Sequence, residues 1–415
     1  MATSYKNGNL FCENVDVEEI AQNFGTPVYV YSKKKILDSL FKYQRALNSH
    51  RYLICYPVKT NYSLSILDLL NRHGCGFDIA SEGELQRVLA VGGNPEQVVY
   101  SGVGKSKKEI ELSLESKIYS IHVESWEELD RTEEISRNLN CRAPLGVRVN
   151  PDIDAQTHRY VSTGIKDSKF GVPLEDVQEL YQRIKHSPYL EAKGIHCSIG
   201  SQLTELSPLL EARDCIVDLV DSLEILGVKL EYVDLGGGIG IAYRQGETEP
   251  DISSWVQEIV KPVAARGLRL LLEPGRSIVG HAGILLTRVE YVKKSVKNFA
   301  VVDAALTELI RPALYDGYHH ILPSHQHSNI KPLLCDVVGP VCENTDFLAR
   351  DRWLTVQQGD VLAILSVGAY GSVMSSNYNS RFRSAEVIVD GNQVFEIRKR
   401  ETIAEQIQNE FVVCV

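Results

Sequence analysis

The sequence predicts an α/β protein: a (β/α)8 TIM-like barrel plus a mostly antiparallel C-terminal β domain. Three observations carry this. Between residues 51 and 276 short apolar runs alternate eight times with amphipathic stretches, the pattern of successive strand–helix units in a parallel barrel. Small and reactive residues follow those runs, as they do on the catalytic face of barrels. Beyond about residue 284 the runs succeed one another without long helices between them. The expected barrel spans 34–278, and segments 1–33 and 279–415 form the β domain.

The eight runs are Tyr52–Val58, Gly76–Ile79, Gln97–Tyr100, Ile118–His122, Leu145–Val149, Ala192–Ser198, Lys229–Leu235 and Leu268–Leu272. Segments with helical spacing lie between them, such as Ser65–Leu70 and Leu209–Leu226. The later runs Ile284–Val292, Phe299–Val302, Pro332–Val338 and Asp360–Leu365 read as strands. Glu386–Val389 and Val394–Arg398 flank Asp390-Gly391-Asn392, a hairpin signal. Thr26–Tyr31 is β-rich and precedes the barrel, so it is expected to pair into the β domain from the other end of the chain.

At or just after the strand ends stand Lys59, Asp78 with Ser81, Ser101, Glu124, Asn150, Ser201, Gly236-Gly237-Gly238 and Glu273-Pro-Gly-Arg276. Lys59 closes an apolar run, and a buried lysine is costly unless it is paired or covalently engaged. An imine linkage to an aldehyde cofactor removes the charge. The plain alternative is a lysine that snorkels to solvent.

Bulk composition narrows the function. The 415 residues are 44% hydrophobic and 24% charged, ordinary for a globular enzyme of two domains. The net charge of −10 comes without a basic block, which argues against nucleic acid as a partner. No apolar stretch has the length of a membrane-spanning helix, and the N-terminus lacks the apolar core of a secretory signal. Nine scattered cysteines with no C-x-x-C pair argue against a disulfide framework and a zinc site, and fit a reducing, cytoplasmic compartment.

Asp234-Leu-Gly-Gly-Gly-Ile-Gly-Ile241 follows the seventh run, where barrels commonly bind phosphate. A dinucleotide fingerprint fails there, because its third glycine would fall on Ile241. A tight turn without a ligand is the alternative. A carboxylate such as Glu273 beside an aromatic nitrogen keeps it protonated, and Arg276 suits a carboxylate or phosphate. An internal Glu273–Arg276 ion pair is the competing reading. Arg311-Pro-Ala-Leu-Tyr315, Cys342-Glu343, Gly368-Ala-Tyr370-Gly and Ser376-Asn-Tyr-Asn-Ser-Arg381 lie in the β domain, where such residues are often merely solvated or packed. His319, His320, His325 and His327 match no metal-ligand spacing, and no metal is expected.

Together these motifs resemble the fold-type III pyridoxal-phosphate decarboxylases, and within them the members that act on diaminopimelate. The similarity runs from about Gly25 to Phe395. It rests on Tyr56-Pro-Val-Lys59-Thr-Asn, Phe77-Asp-Ile-Ala-Ser-Glu-Gly-Glu84, Ser162–Gly171, Ile199-Gly-Ser-Gln202, the triple glycine, Glu273–Arg276, Ile310–Tyr315, Cys342-Glu343 and Gly368–Gly371. The resemblance implies pyridoxal 5'-phosphate carried on Lys59, with Glu273 at its ring nitrogen. It implies Ser201, Gly236–Gly238, Gly275 and Arg276 around the phosphate, and Tyr370 also reaching the cofactor. Asp78 and His196 join the cofactor set from their place at the strand ends. Arg276, Arg311, Tyr315, Glu343 and Tyr370 resemble substrate contacts. Cys342 matches a catalytic cysteine supplied by the neighbouring subunit of a homodimer with shared sites.

The expected reaction is decarboxylation of meso-2,6-diaminopimelate to L-lysine and CO2, the last step of lysine biosynthesis, with Cys342 or a released Lys59 reprotonating the carbanion. A related decarboxylase of ornithine, arginine or a carboxylated polyamine uses the same barrel, and an amino-acid racemase fits less well because of Cys342-Glu343. One departure stands out: where the family has His-Ile-Gly-Ser, this chain has Ser198-Ile-Gly-Ser201. Serine has no π-face for the cofactor ring, which leaves a catalytically impaired pyridoxal-binding homologue as a further alternative. His196, two residues earlier on the same strand face, is the expected partial substitute.

Overall fold

The computed structural model describes residues 2–155 and 163–413. The chain divides into two compact units, one of Leu40–Ile241 with Thr248–Ser277, the other of Met1–Ser39, Ala242–Glu247 and Ile278–Val415. The six-residue excursion Ala242–Glu247 into the second unit carries no compositional signal and had no counterpart in the sequence reading.

The first unit is a closed barrel of eight parallel strands: Tyr52–Pro57, Gly76–Ile79, Val98–Tyr100, Ser120–Val123, Ala143–Asn150, Leu190–Cys197, Tyr232–Asp234 and Arg269–Leu272. Closure comes from pairing of the eighth strand with the first, Leu272 against Ile54, and of the fourth with the fifth, Ile121 against Leu145. The strands are buried on both faces, Ser120–Val123 throughout, as expected where helices cover a parallel sheet. The connecting helices begin where side chains can cap them: Ser81, Ser106 and Ser125 each accept the backbone N–H three residues on. The predicted runs Ser65–Leu70 and Leu209–Leu226 fall in helices Leu64–Arg72 and Ser207–Ile225.

The first strand stops one residue earlier than its apolar run. Pro57 lacks an N–H to continue the ladder, and Val58–Thr60 forms a single 3-10 turn that carries Lys59. The lysine therefore takes the solvent-reaching alternative: its side chain is 46% exposed.

In the second unit the sheet runs Phe347–Leu354, Leu333–Val338, Phe299–Val302, Gly283–Lys293, Val28–Ser32, Ala385–Asp390, Gln393–Arg398. Val361–Leu365 pairs antiparallel with Gly283–Lys293, and Ile321–Pro323 with Val361–Leu365. Val28–Ser32 enters as expected from the N-terminal side, antiparallel to Gly283–Lys293 and parallel to Ala385–Asp390. Asp390 and Gln393 close the hairpin around Gly391, whose φ of +63° is left-handed. Its core gathers Leu10, Val28, Val30, Ile284, Leu286, Ala363 and Val387.

Candidate active site

Lys59 leaves its turn toward the second strand, and its Nζ lies 2.7 Å from Asp78 Oδ2. The Asp78 side chain is wholly buried, and its Oδ1 has no hydrogen bond. Glu273, just past the eighth strand, is buried too and its Oε1 lacks a hydrogen-bond partner. Burial first, and then the nearby Asp234 and Asp78 carboxyls, push the Glu273 carboxyl well above the usual range. Burial likewise lifts Asp234 to about 7, against the pull of the Gly236 N–H donated to its Oδ1 at 2.9 Å.

His196 faces Glu273, Nε2 to Oε1 3.7 Å. Its ring stacks on His122, centroids 4.4 Å apart at 17°, which covers one of its two faces. Both imidazoles are held well below the ordinary histidine pKa, chiefly by burial. His122 is fixed further by Tyr232 Oη at 2.9 Å and Ser101 Oγ at 3.3 Å. His122, His196, Asp234 and Glu273 place one ligand-type atom each within 4.8 Å. Of the histidines between 319 and 327, His325 and His327 pack edge to face with ring centroids 5.2 Å apart. His319 meets the Leu365 carbonyl, His325 the Asn9 side chain and His327 the Asp360 carboxylate.

The seventh strand turns through Gly236 and Gly238, with φ of +62° and +92°, a region that favours glycine. Gly237 and Gly275 are required by close approach instead. A Cβ at Gly237 would lie 2.0 Å from the Glu273 carbonyl oxygen, and one at Gly275 2.2 Å from Thr60 Oγ1. Arg276 donates to Ser201 Oγ at 2.9 Å, so hydroxyl, guanidinium and glycine turn converge from the sixth, seventh and eighth strands. Ser198, half-buried just past the sixth strand, has its carbonyl held by the Thr163 hydroxyl at 2.7 Å. Ser162 of the same motif lies outside the described residues.

The sequence reading passed over His122, Arg148, Lys105 and Glu128. Arg148 pairs with Glu124 at 3.0 Å and Lys105 with Glu128 at 2.7 Å, all buried. A charged residue inside Leu145-Gly-Val-Arg-Val149 was the available signal, because a charge in a two-faced strand needs a buried partner.

Further candidates belong to the second unit. Arg311 opens the helix Arg311–Tyr315, its guanidinium 5.6 Å from the rings of both Tyr315 and Tyr243. Tyr370 is half-buried with φ +55°, an unusual backbone state for a bulky residue. Cys342 and Glu343 stand exposed on a separate turn, pinned from below by Asp346, whose Oδ2 accepts the Val341 N–H at 2.7 Å.

A buried carboxyl whose pKa burial raises, beside a glycine turn, fits pyridoxal phosphate. The orphaned Glu273 oxygen lacks the cationic N–H that a pyridinium offers, and the Arg276 guanidinium and Ser201 hydroxyl beside the glycine turn are donors suited to a phosphate. Barrel and site together define the class: residues 33–280 match the family described as "Pyridoxal-dependent decarboxylase, pyridoxal binding domain". The relatives then narrow it. Diaminopimelate decarboxylase of Neisseria meningitidis serogroup A is 50% identical over 97% of this chain and 98% of its own length. That of Pseudomonas aeruginosa is 48% identical over 97% of each. The Helicobacter pylori diaminopimelate decarboxylase structure complexed with L-lysine superposes with a TM-score of 0.91 at 42% identity, covering 95% of this chain and 99% of that one. The M. jannaschii diaminopimelate decarboxylase structure in co-complex with L-lysine reaches a TM-score of 0.94 at 35% identity, covering 99% of this chain and 98% of that one. The chain belongs to the diaminopimelate decarboxylase family of pyridoxal-dependent decarboxylases.

Proposed function

We propose that the protein decarboxylates meso-2,6-diaminopimelate to L-lysine and CO2 with pyridoxal 5'-phosphate, the closing step of lysine biosynthesis. The observation that carries the reading is that three adjacent strand ends, the eighth, first and second, bring Lys59 with its Asp78 partner beside the buried, orphaned Glu273 carboxyl. Pyridoxal phosphate, when bound, supplies a protonated ring that accepts the electron pair left behind by the departing carboxylate.

The residues divide the remaining work. Lys59 holds the cofactor's aldehyde carbon, and Asp78 keeps the Nζ in place. Glu273 Oε1, which burial makes reluctant to ionise alone, shares a proton with the ring nitrogen, and His196 lies against that carboxyl. Ser201, Gly236–Gly238, Gly275 and Arg276 receive the phosphate, and Tyr370 also binds the cofactor. Arg276, Arg311, Tyr315, Tyr370 and Glu343 hold the substrate's carboxylates and distal ammonium, each of which needs a partner once desolvated. Cys342 returns the proton to the α-carbon.

Because Cys342 and Glu343 are exposed on their own turn, we assign them to a neighbouring copy's site in a homodimer. No helix among the described residues is long and apolar enough to cross a membrane. The described cysteines are all free, which supports a reducing, cytoplasmic setting. The test is CO2 release from meso-diaminopimelate, ornithine and arginine with and without added pyridoxal phosphate. Turnover of meso-diaminopimelate alone, dependent on the cofactor, is expected. Turnover of ornithine or arginine instead would overturn the substrate assignment, and cofactor binding without any CO2 would overturn the activity.

A further inference from the structure

Cys342 and Glu343 act at a distance from the core that supports them, on an exposed turn. A long side chain on such a turn samples many rotamers, and ordering it costs free energy at each encounter with substrate. The loop Ser376–Arg381 meets this turn. Tyr378 Oη donates to Glu343 Oε1 at 2.9 Å. One residue on, Asn379 Oδ1 accepts the Cys342 N–H at 3.3 Å. Asn379 adopts φ +56°, ψ +25°, the left-handed state that asparagine tolerates better than most residues.

The loop and the turn hang from the same segment. Ser376 N–H donates to the Thr307 carbonyl at 3.0 Å. Arg381 reaches the Asp303 carbonyl at 2.5 Å, Thr307 Oγ1 at 3.1 Å and the buried Glu308 carboxylate at 3.5 Å. From the other side Asp346, also buried, accepts the N–H groups of Leu306 at 2.6 Å and Val341 at 2.7 Å. Two buried carboxylates thus anchor, within Asp303–Glu308, the two arms whose tips meet in the open. Exposed hydrogen bonds do little for stability, so stability alone gives no reason for this arrangement. It does fix where one thiol and one carboxylate stand.

We infer that Tyr378 and Asn379 are positioning residues: Tyr378 aims the Glu343 carboxylate at the substrate's distal ammonium, and Asn379 holds the Cys342 backbone so that its thiol reaches the reacting carbon. This rests on the assignment of Cys342 and Glu343 to the active site. Neither residue touches substrate or cofactor in this role.

The experiment is steady-state kinetics on the holoenzyme with meso-diaminopimelate, with Glu343→Gln and Cys342→Ser as references. Tyr378→Phe is expected to raise KM about 3- to 10-fold, the range for one hydrogen bond to a charged group at a partly exposed site, with kcat nearly unchanged. The double variant Tyr378→Phe/Glu343→Gln is expected to be no worse than Glu343→Gln alone, since the phenol acts only through that carboxylate. Asn379→Gly keeps the backbone conformation but removes the acceptor, and it should lower kcat with KM and melting temperature held. Asn379→Asp retains the oxygen and should restore kcat. If Glu343→Gln raises KM while Tyr378→Phe does not, or if the double variant is additive, the role of Tyr378 is refuted. If Asn379→Asp is as slow as Asn379→Gly, the role of Asn379 is refuted. If Glu343→Gln and Cys342→Ser both leave kcat and KM intact, the underlying assignment falls and the inference with it.

Discussion

Gly237→Ala probes whether the glycine turn and Glu273 form one packed unit. The added Cβ would sit 2.0 Å from the Glu273 carbonyl oxygen and 2.9 Å from its carbon, where real Cβ atoms do not come within 3.0 Å. Both obstacles are backbone, so no rotamer change relieves them. The turn and the strand end must part by about 1 Å, an overpacking strain of about 1–3 kcal/mol. The same parting stretches the hydrogen bond from Glu273 N–H to the Gly236 carbonyl, now 2.7 Å, beyond useful length. Leaving that buried pair unmade adds about 1–3 kcal/mol. The expected loss is therefore about 2–6 kcal/mol in urea unfolding of the apoprotein, read against Gly104→Ala, whose Cβ meets nothing within 4 Å. Pyridoxal phosphate affinity should fall at least tenfold in the same variant, because phosphate cradle and ring-nitrogen partner move together. A Gly237→Ala protein as stable as Gly104→Ala, with unchanged cofactor affinity, would refute the close packing on which the site assignment leans.

Other outcomes follow from the same geometry. Lys59→Ala should abolish CO2 release and the spectroscopic signature of covalently held cofactor; survival of both would remove Lys59 from its assigned place. Ser198→His should strengthen pyridoxal phosphate retention about 2- to 10-fold, from about 0.5–1.5 kcal/mol of aromatic stacking, and an equilibrium dialysis measurement showing no gain would count against the stacking argument. Burial lifts Asp234 to about 7, so the folded apoprotein keeps a proton that the unfolded chain releases above the ordinary value of 3.8. Its contribution to stability is whole at low pH and is lost as pH rises from about 4 to about 7. Asp234→Asn, which preserves the oxygen facing Gly236, should flatten the fall in unfolding free energy over that window; an unchanged slope would show that Asp234 ionises normally.

The barrel was legible because its signal is repeated. Each strand is an apolar run of a few residues, each helix an amphipathic stretch, and the alternation survives errors of two or three residues at any one boundary. Tyr232–Asp234 is shorter than its predicted run Lys229–Leu235, and Ala143–Asn150 longer than Leu145–Val149, yet neither alters the count. Boundaries blur because an apolar residue packs as well just beyond a ladder as within it. Lys59 was found by its place after the first run, but the run left open whether it is buried or reaches solvent, since its exposure is decided by the turn that Pro57 starts. The excursion Ala242–Glu247 was invisible because its residues resemble any loop, and its allegiance is set by contacts distant in sequence.

The charged interior of the barrel was hidden for a deeper reason. Arg148 and Glu124 are 24 residues apart, Lys105 and Glu128 23 apart, and each pair spans two consecutive strand–helix units that only the parallel strand pairing brings side by side. A single buried charge seen in sequence says that a partner exists, not which one. Pairing of the sixth, seventh and eighth strands brings Asp234 and Glu273 within reach of each other and of His196, and burial first, then their mutual repulsion, raises the pKa of both carboxyls. In the proposed arrangement a ring-nitrogen cation among these carboxyls would favour their ionised form and so offset the cost of burying it. The crowding would thus favour a ring-nitrogen cation, while burial, and then His122 and Arg148, hold the His196 pKa down although a carboxyl faces it. It also locates the consequence of Ser198. In the proposed site Glu273 would act on the ring nitrogen and the residue at 198 on the ring face, so a serine there would weaken how firmly the ring is held without touching the proton that activates it.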